Sequence, residues 1–149
     1  MTDSTLWTLI LAAALLLAGL VWFMFRRGKP LEKALADISY DRIEALVIPK
    51  ADEGEIQIDQ LLLTSQGLLV LEVKDVQGTV FGSDKMSDWT VIADDRRYTF
   101  SNPQPGLYDR IAAVKQIVRQ VPVDGRVLFL DGAEFTKGTP SLACNLCLL

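Results

Sequence analysis

Ile56-Gln57-Ile58-Asp59-Gln60-Leu61-Leu62-Leu63-Thr64, then Ser65-Gln66-Gly67, then Leu68-Leu69-Val70-Leu71-Glu72-Val73-Lys74 is the stretch that decides the fold. Two apolar, strand-length runs flank a short turn that contains glycine, which is the pattern of a β-hairpin. Both runs are apolar on both faces, so the hairpin is expected at the centre of a sheet and covered on each side. Three ionisable residues interrupt it: Asp59, Glu72 and Lys74. Charges inside apolar strands are costly unless they find partners. If Ser65 and Gln66 form the loop, Thr64 opposes Gly67 and Asp59 opposes Glu72. If Gln66 and Gly67 form it, Asp59 opposes Lys74. With either loop all three side chains share one face, because side chains alternate with period two.

Two carboxylates ~5 Å apart repel by roughly 3 kcal/mol at an effective dielectric of ~20. Lys74 offsets part of this. A divalent cation offsets more, and Mg²⁺ suits carboxylates on rigid strands because it takes oxygen ligands and keeps waters for a phosphate substrate. A lysine two residues from such a carboxylate projects to the same side, where it can orient or deprotonate water or stabilise phosphate charge. A neutralising ion-pair cluster across two strands explains the same residues without chemistry. On these residues alone the two readings stand level.

Upstream of the hairpin, Ile43–Ile48 reads as a strand closed by Pro49, and 50–55 as an acidic loop. Leu31–Ile38 reads as a short helix with Leu31, Leu35 and Ile38 on one face. Residues 6–25 carry no charge. A run of about 20 apolar residues spans the ~30 Å hydrocarbon core of a bilayer. Trp7 and Trp22 lie near its ends, where interfacial aromatics sit. A cleaved signal peptide is the competing reading, but residues 1–5 lack a basic residue and the apolar stretch is long for one. Arg26, Arg27 and Lys29 follow directly, which points the soluble part to the cytoplasm and the N-terminal tail outward across the cell membrane. Gly28 and Pro30 are expected to break the helix, making 26–30 a basic linker to a domain spanning 31–149.

Downstream, Gly78–Phe81, Trp89–Ile92 and Tyr98–Phe100 read as short strands, with Asp94-Asp95-Arg96 as a turn. Trp89, Tyr98 and Phe100 are expected in the core of a small sheet. A helix begins near Pro103 with Asn102 as cap. Leu107, Ile111, Val114, Val118 and Val121 give it one apolar stripe, and Pro122 ends it. Arg126–Leu130 reads as a final strand. The order helix, three strands, helix, strand, with a small β insertion, makes the class α/β or α+β.

Composition narrows the chemistry. There is no histidine, which excludes a Ser-His-Asp or Cys-His mechanism within the chain. Cys144 and Cys147 are the only cysteines, too few for a structural zinc site, and they read as reduced thiols. Net charge is −4, which argues against a surface built for non-specific nucleic-acid binding. There is no glycine-rich phosphate loop, so a nucleoside triphosphatase is not expected.

Gly54-Glu55-Ile56-Gln57-Ile58-Asp59, Gly67 through Lys74, Gly78-Thr79-Val80, Trp89 and Asn102-Pro103 together resemble the nuclease-related (NERD) domain of the PD-(D/E)xK nuclease superfamily. The similarity runs from about residue 31 through the strand Arg126–Leu130. The resemblance implies a restriction-endonuclease-like αβββαβ core. It also implies Mg²⁺ or Mn²⁺ as cofactor and DNA or RNA as substrate. Asp59 and Glu72 would be metal ligands, Lys74 the catalytic lysine, and Glu32 an additional acid. Gln57, Asn102, Gln104 and Arg110 are candidate substrate contacts. Arg110, Lys115 and Arg119 on the second helix could contact a nucleic-acid backbone, but a solvated helix face is the favoured reading. The family often carries a glutamine three residues after the Asn-Pro proline, where this chain has Gly106. Three functions follow: a membrane-held metal-dependent phosphodiesterase, a non-catalytic module binding nucleic acid or protein, or a structural partner of a membrane or cytosolic protein.

Overall fold

The computed structural model describes residues 3–50 and 52–146, so Cys147 lies outside the described residues. The chain forms two compact units, Met1–Leu35 and Ala36–Leu149.

The first unit is built on α1, Asp3–Ile38, a helix of 36 residues. Within it Trp7–Met24 is uncharged, apolar and exposed throughout, long enough to cross a membrane by length and composition. A signal sequence meets the same criteria. Gly28 and Pro30 do not break the helix as expected. Proline removes one backbone donor and crowds the preceding turn. Here that loss falls between an apolar run and Leu31-Glu32-Lys33-Ala34-Leu35-Ala36, all strong helix formers. The expected short helix 31–38 is therefore the last part of α1, and no separate linker interrupts it.

In the second unit the hairpin forms as read. Strand β1, Asp41–Pro49, pairs antiparallel with β2, Glu55–Thr64, and β2 with β3, Gly67–Lys74. Thr64 opposes Gly67, which settles Ser65-Gln66 as the loop. The chain then makes β4 (Gly78–Phe81), β5 (Asp88–Ala93) and β6 (Arg96–Ser101), an antiparallel meander. Next come α2, Gln104–Ile117, and β7, Val123–Phe129, which lies parallel to β3. Two short strands follow that carry no periodic signal: β8 (Ala133–Glu134) beside β4 and β9 (Ala143–Asn145) beside β7. The main sheet has the order β1-β2-β3-β7-β9 and the small sheet β6-β5-β4-β8. The result is a mixed α+β fold with a restriction-endonuclease-like core and a β insertion.

β3 is the central strand, and consecutive residues Val70 and Leu71 are both buried, one on each face. Leu107, Ile111 and Val114 of α2 pack into one core cluster with Ile58, Val70, Val127 and Phe129. The approach is close at Gly125 of β7, where an added Cβ would lie 2.6 Å from the Ile111 Cδ1 and 3.1 Å from the Leu107 Cδ1. α2 ends at Ile117, with Val118 as C-cap, so the expected stripe stops before Val121, which is exposed. Arg119 accordingly lies beyond the helix. Trp89 joins the two sheets: its ring is stacked 6.2 Å from Phe129 and edge-on to Phe100 and Phe135 at 6.0 and 6.4 Å. Tyr98, expected in this core, is 44% exposed on the edge strand β6.

Candidate active site

Glu72 lies near the C-terminal end of β3 on the face that α2 covers, beside Val127 of β7. Its carboxylate is held by two cations. Lys74, two residues along the same strand, places Nζ 2.8 Å from Oε1. Arg110 of α2 places Nη1 3.4 Å from Oε2. The Glu72 side chain is 11% exposed, against 35% for Lys74 and 26% for Arg110. A nearly buried anion is thus paired with two partly exposed counter-ions, the pairing that makes burial of a carboxylate tolerable.

Arg110 follows from helix geometry. It stands three residues after Leu107 and four before Val114, on the flank of the buried stripe. Its Nε donates to the Gln57 carbonyl oxygen at 2.7 Å, so one guanidinium ties α2 to both β2 and β3. Gly106 makes room for it: a Cβ there would lie 3.0 Å from Arg110 Nη1. The solvated-face reading of Arg110 is therefore corrected, since its head group is engaged on two strands.

Asp59 is exposed and forms no ion pair among the described residues. The β2–β3 ladder ends at Gln60 and Leu71, one residue short of opposing Asp59 to Glu72. Across β1, the pairs Glu44–Gln60 and Leu46–Ile58 flank Ala45 and Asp59, which are not themselves paired. Ala45 adopts φ 49°, in the left-handed region that costs a non-glycine residue energy. Ile58 and Leu61, of opposite parity, both turn to the α2-side core. The alternation therefore slips at this point, and period-two counting from Leu61 does not carry through to Asp59.

The remaining candidates fall elsewhere. Glu32 is exposed on α1, in the first unit. Gln57 contributes its backbone carbonyl to Arg110 while its side chain is exposed. Asn102 stabilises the turn into α2: Oδ1 accepts from the Gln104 N–H at 2.9 Å and Nδ2 donates to the Met86 carbonyl at 2.8 Å. Gln104 is buried, with both ends of its amide bonded. Nε2 donates to Asp84 Oδ1 at 3.0 Å, and Oε1 accepts from the Leu142 N–H at 2.9 Å. Asp84 also accepts from the Ser141 N–H and hydroxyl. The Ser141 amide and then Gln104 hold its carboxyl below the ordinary carboxylate value. Nothing in the local sequence marks this Asp84–Gln104–Ser141 network, whose members lie far apart along the chain. Cys144 is half-buried on β9, and burial pushes its thiol up, with Arg126 pulling the other way.

The donor set bears on a metal. A hard cation takes carboxylate oxygens and completes its shell with water. Asp59 and Glu72 are donors of the right kind, with Glu72 Oε2 the more loosely held of that carboxylate's two oxygens. No group of three or more His, Cys, Asp or Glu side chains converges as a metal centre among the described residues. The two carboxylates match Mg²⁺ or Mn²⁺ in kind, while the β2–β3 pairing stops short of bringing Asp59 opposite Glu72.

A central strand carrying an acid and a lysine two residues apart, crossed on that face by one helix within an αβββαβ core, defines a nuclease-like class of domain. The nuclease-related domain family (NERD) matches residues 26–130, well over half of the chain, and the protein belongs to that family. A Bacillus anthracis protein described as uncharacterized is 31% identical over 64 residues, which cover 43% of this chain and 30% of the relative's length. The chain therefore spans well under two thirds of that relative. No solved structure matches the chain.

Proposed function

We propose that this protein is a membrane-anchored, nuclease-related phosphodiesterase that acts on DNA or RNA with Mg²⁺ or Mn²⁺. The observation that carries the reading is the Glu72–Lys74 pair, an acid and an amine 2.8 Å apart on the central strand of a nuclease-related domain. Asp59 and Glu72 would hold the cation, which when bound supplies positive charge for a phosphoryl oxygen and lowers the pKa of a bound water. Lys74 is kept in place by Glu72 while its side chain stays about one-third exposed, so its remaining ammonium protons are available to a water or a phosphate oxygen. The apolar stretch Trp7–Met24 would anchor the chain as a single span. The basic Arg26, Arg27 and Lys29 just after it favour a cytoplasmic domain.

A second reading is favoured by a specific feature: both Glu72 oxygens already face cations, and Asp59 stands off the ladder. On that reading the domain binds nucleic acid or a protein partner at the membrane without cutting. The test uses the full chain in detergent with plasmid, single-stranded DNA and RNA, with and without Mg²⁺ or Mn²⁺. Cleavage that needs the cation and is lost in Glu72→Gln and Lys74→Ala supports the phosphodiesterase. Binding that persists without cations, with no cleavage of any substrate, supports the module.

A further inference from the structure

We infer that Lys74 and Arg110 form a clamp for one internal phosphodiester of a nucleic-acid strand, held without a metal ion and in preference to a terminal phosphate. The inference deepens the reading of the domain as one that acts on DNA or RNA, and rests on that part of it alone.

The charges of the site lead to it. Glu72 is the carboxylate in ion-pair contact with Lys74 and with Arg110 among the described residues. Two cations over one anion leave one positive charge uncompensated. The acid is nearly buried while both cations are partly exposed, so an anion coming from solvent meets the cations before the carboxylate beneath them. Both cations have donors to offer. Lys74 bonds Glu72, and Arg110 bonds the Gln57 carbonyl through Nε and Glu72 through Nη1. Ammonium protons and the Nη2 end are left without an acceptor among the described residues. Neither tip is loose, because one carboxylate holds both and Nε is tied to β2 at 2.7 Å. Donors fixed before the ligand arrives lose less freedom on binding. A planar guanidinium beside an ammonium suits the oxygens of a phosphate. The surplus charge then discriminates. An internal phosphodiester carries one negative charge, which the site neutralises. A terminal phosphate carries close to two at neutral pH, and the second would face Glu72 uncompensated.

The clamp is read by binding in EDTA, without activity. The full chain in detergent is titrated against an internally labelled single-stranded oligonucleotide with no terminal phosphate, across a range of salt. Wild type should bind. In Arg110→Met binding should weaken about tenfold at low salt, and the slope of log affinity against log salt should fall by about 0.7, the share of one phosphate contact. Arg110→Lys should restore the slope. Arg97→Gln, which removes an exposed charge from β6, should leave it unchanged. A 5′-phosphate on the oligonucleotide should add no affinity, and inorganic phosphate should compete poorly. If Arg110→Met loses its fold, judged by thermal unfolding, Lys74→Gln carries the same test, since it leaves Arg110 on both strands. An unchanged slope in the folded variant, or an equal fall in Arg97→Gln, overturns the clamp. Tighter binding of the terminal phosphate, or ready competition by inorganic phosphate, overturns its selectivity. A wild type that cuts with Mg²⁺ but does not bind in EDTA overturns the inference and leaves the phosphodiesterase standing. Neither binding nor cleavage of any substrate removes both.

Discussion

Glu72 and Gln104 are the buried polar side chains of the described core, and their surroundings differ in kind. Glu72 is held by the tips of two long cationic side chains, each partly exposed. Gln104 is held by the Leu142 backbone amide, by Asp84 and by the Ser141 hydroxyl. One of those partners is main chain and the others are short side chains tied to the same loop. The first arrangement satisfies a charge with exchangeable, partly exposed side chains. The second satisfies an amide with fixed partners, as a joint between α2 and the segment leading into β9 requires. Burial alone does not separate the two; the charge and exposure of the partners do.

The largest expected effect tests the exchangeable side. Glu72→Gln keeps the shape of the side chain and one acceptor oxygen but removes the charge that a cation would bind. Divalent-dependent cleavage by the folded protein should fall by at least about 100-fold, with a lowered unfolding temperature because Lys74 and Arg110 lose their shared anion. A variant that cuts as well as wild type would remove Glu72 from the chemistry and leave it a structural ion pair like any other.

The fixed side should fail in the opposite way. Gln104→Ala strands the buried Leu142 N–H without its acceptor and leaves Asp84 short of one donor. An unsatisfied buried donor together with lost packing costs about 2–4 kcal/mol, measurable as a lower urea midpoint. Mn²⁺ affinity of the folded fraction should be unchanged. A stable Gln104→Ala protein that had lost Mn²⁺ binding would invert the comparison and make Gln104 part of the site.

The same contrast explains what the sequence disclosed. The hairpin and the α2 stripe through Val114 were legible because apolar periodicity reports directly on burial, while the choice between the two possible loops needed the observed register. Glu72 and Lys74 were legible because charge on a central strand is rare enough to stand out. Arg110 was half legible: its flank position can be counted from Leu107 and Val114, and Gly106 one turn earlier is the space it needs. Which anion it meets depends on how α2 crosses the sheet, and no local pattern encodes that. Asp59 was misleading in its simplicity. One of the two registers counted from the loop is the observed one, but the slip at Ala45 and Asp59 breaks alternation where it matters, and alanine at a left-handed position leaves no compositional trace. The Asp84–Gln104–Ser141 network was illegible because three ordinary loop and helix residues meet only in the fold.

Asp84 offers the smallest and sharpest separation of the two clusters. Hydrogen bonds from the Ser141 amide and from Gln104 lower its pKa in the folded protein below the ordinary 3.8. A carboxyl whose folded pKa is depressed contributes stability that is fully present above its unfolded value and is lost as pH falls through the lowered one. Wild type should therefore lose stability relative to Asp84→Asn as pH drops below the ordinary carboxylate value. Asparagine keeps an acceptor for Ser141 and Gln104 without titrating, so the variant lacks this contribution at neutral pH and has none to lose in acid. Subtracting the urea midpoints of the two proteins at each pH cancels the other carboxylates and isolates Asp84. A difference that stays flat from neutral pH into acid would mean that these hydrogen bonds do not distinguish the ionised carboxyl from a neutral amide. The network would then be held by shape alone, and the fixed cluster would owe nothing to charge.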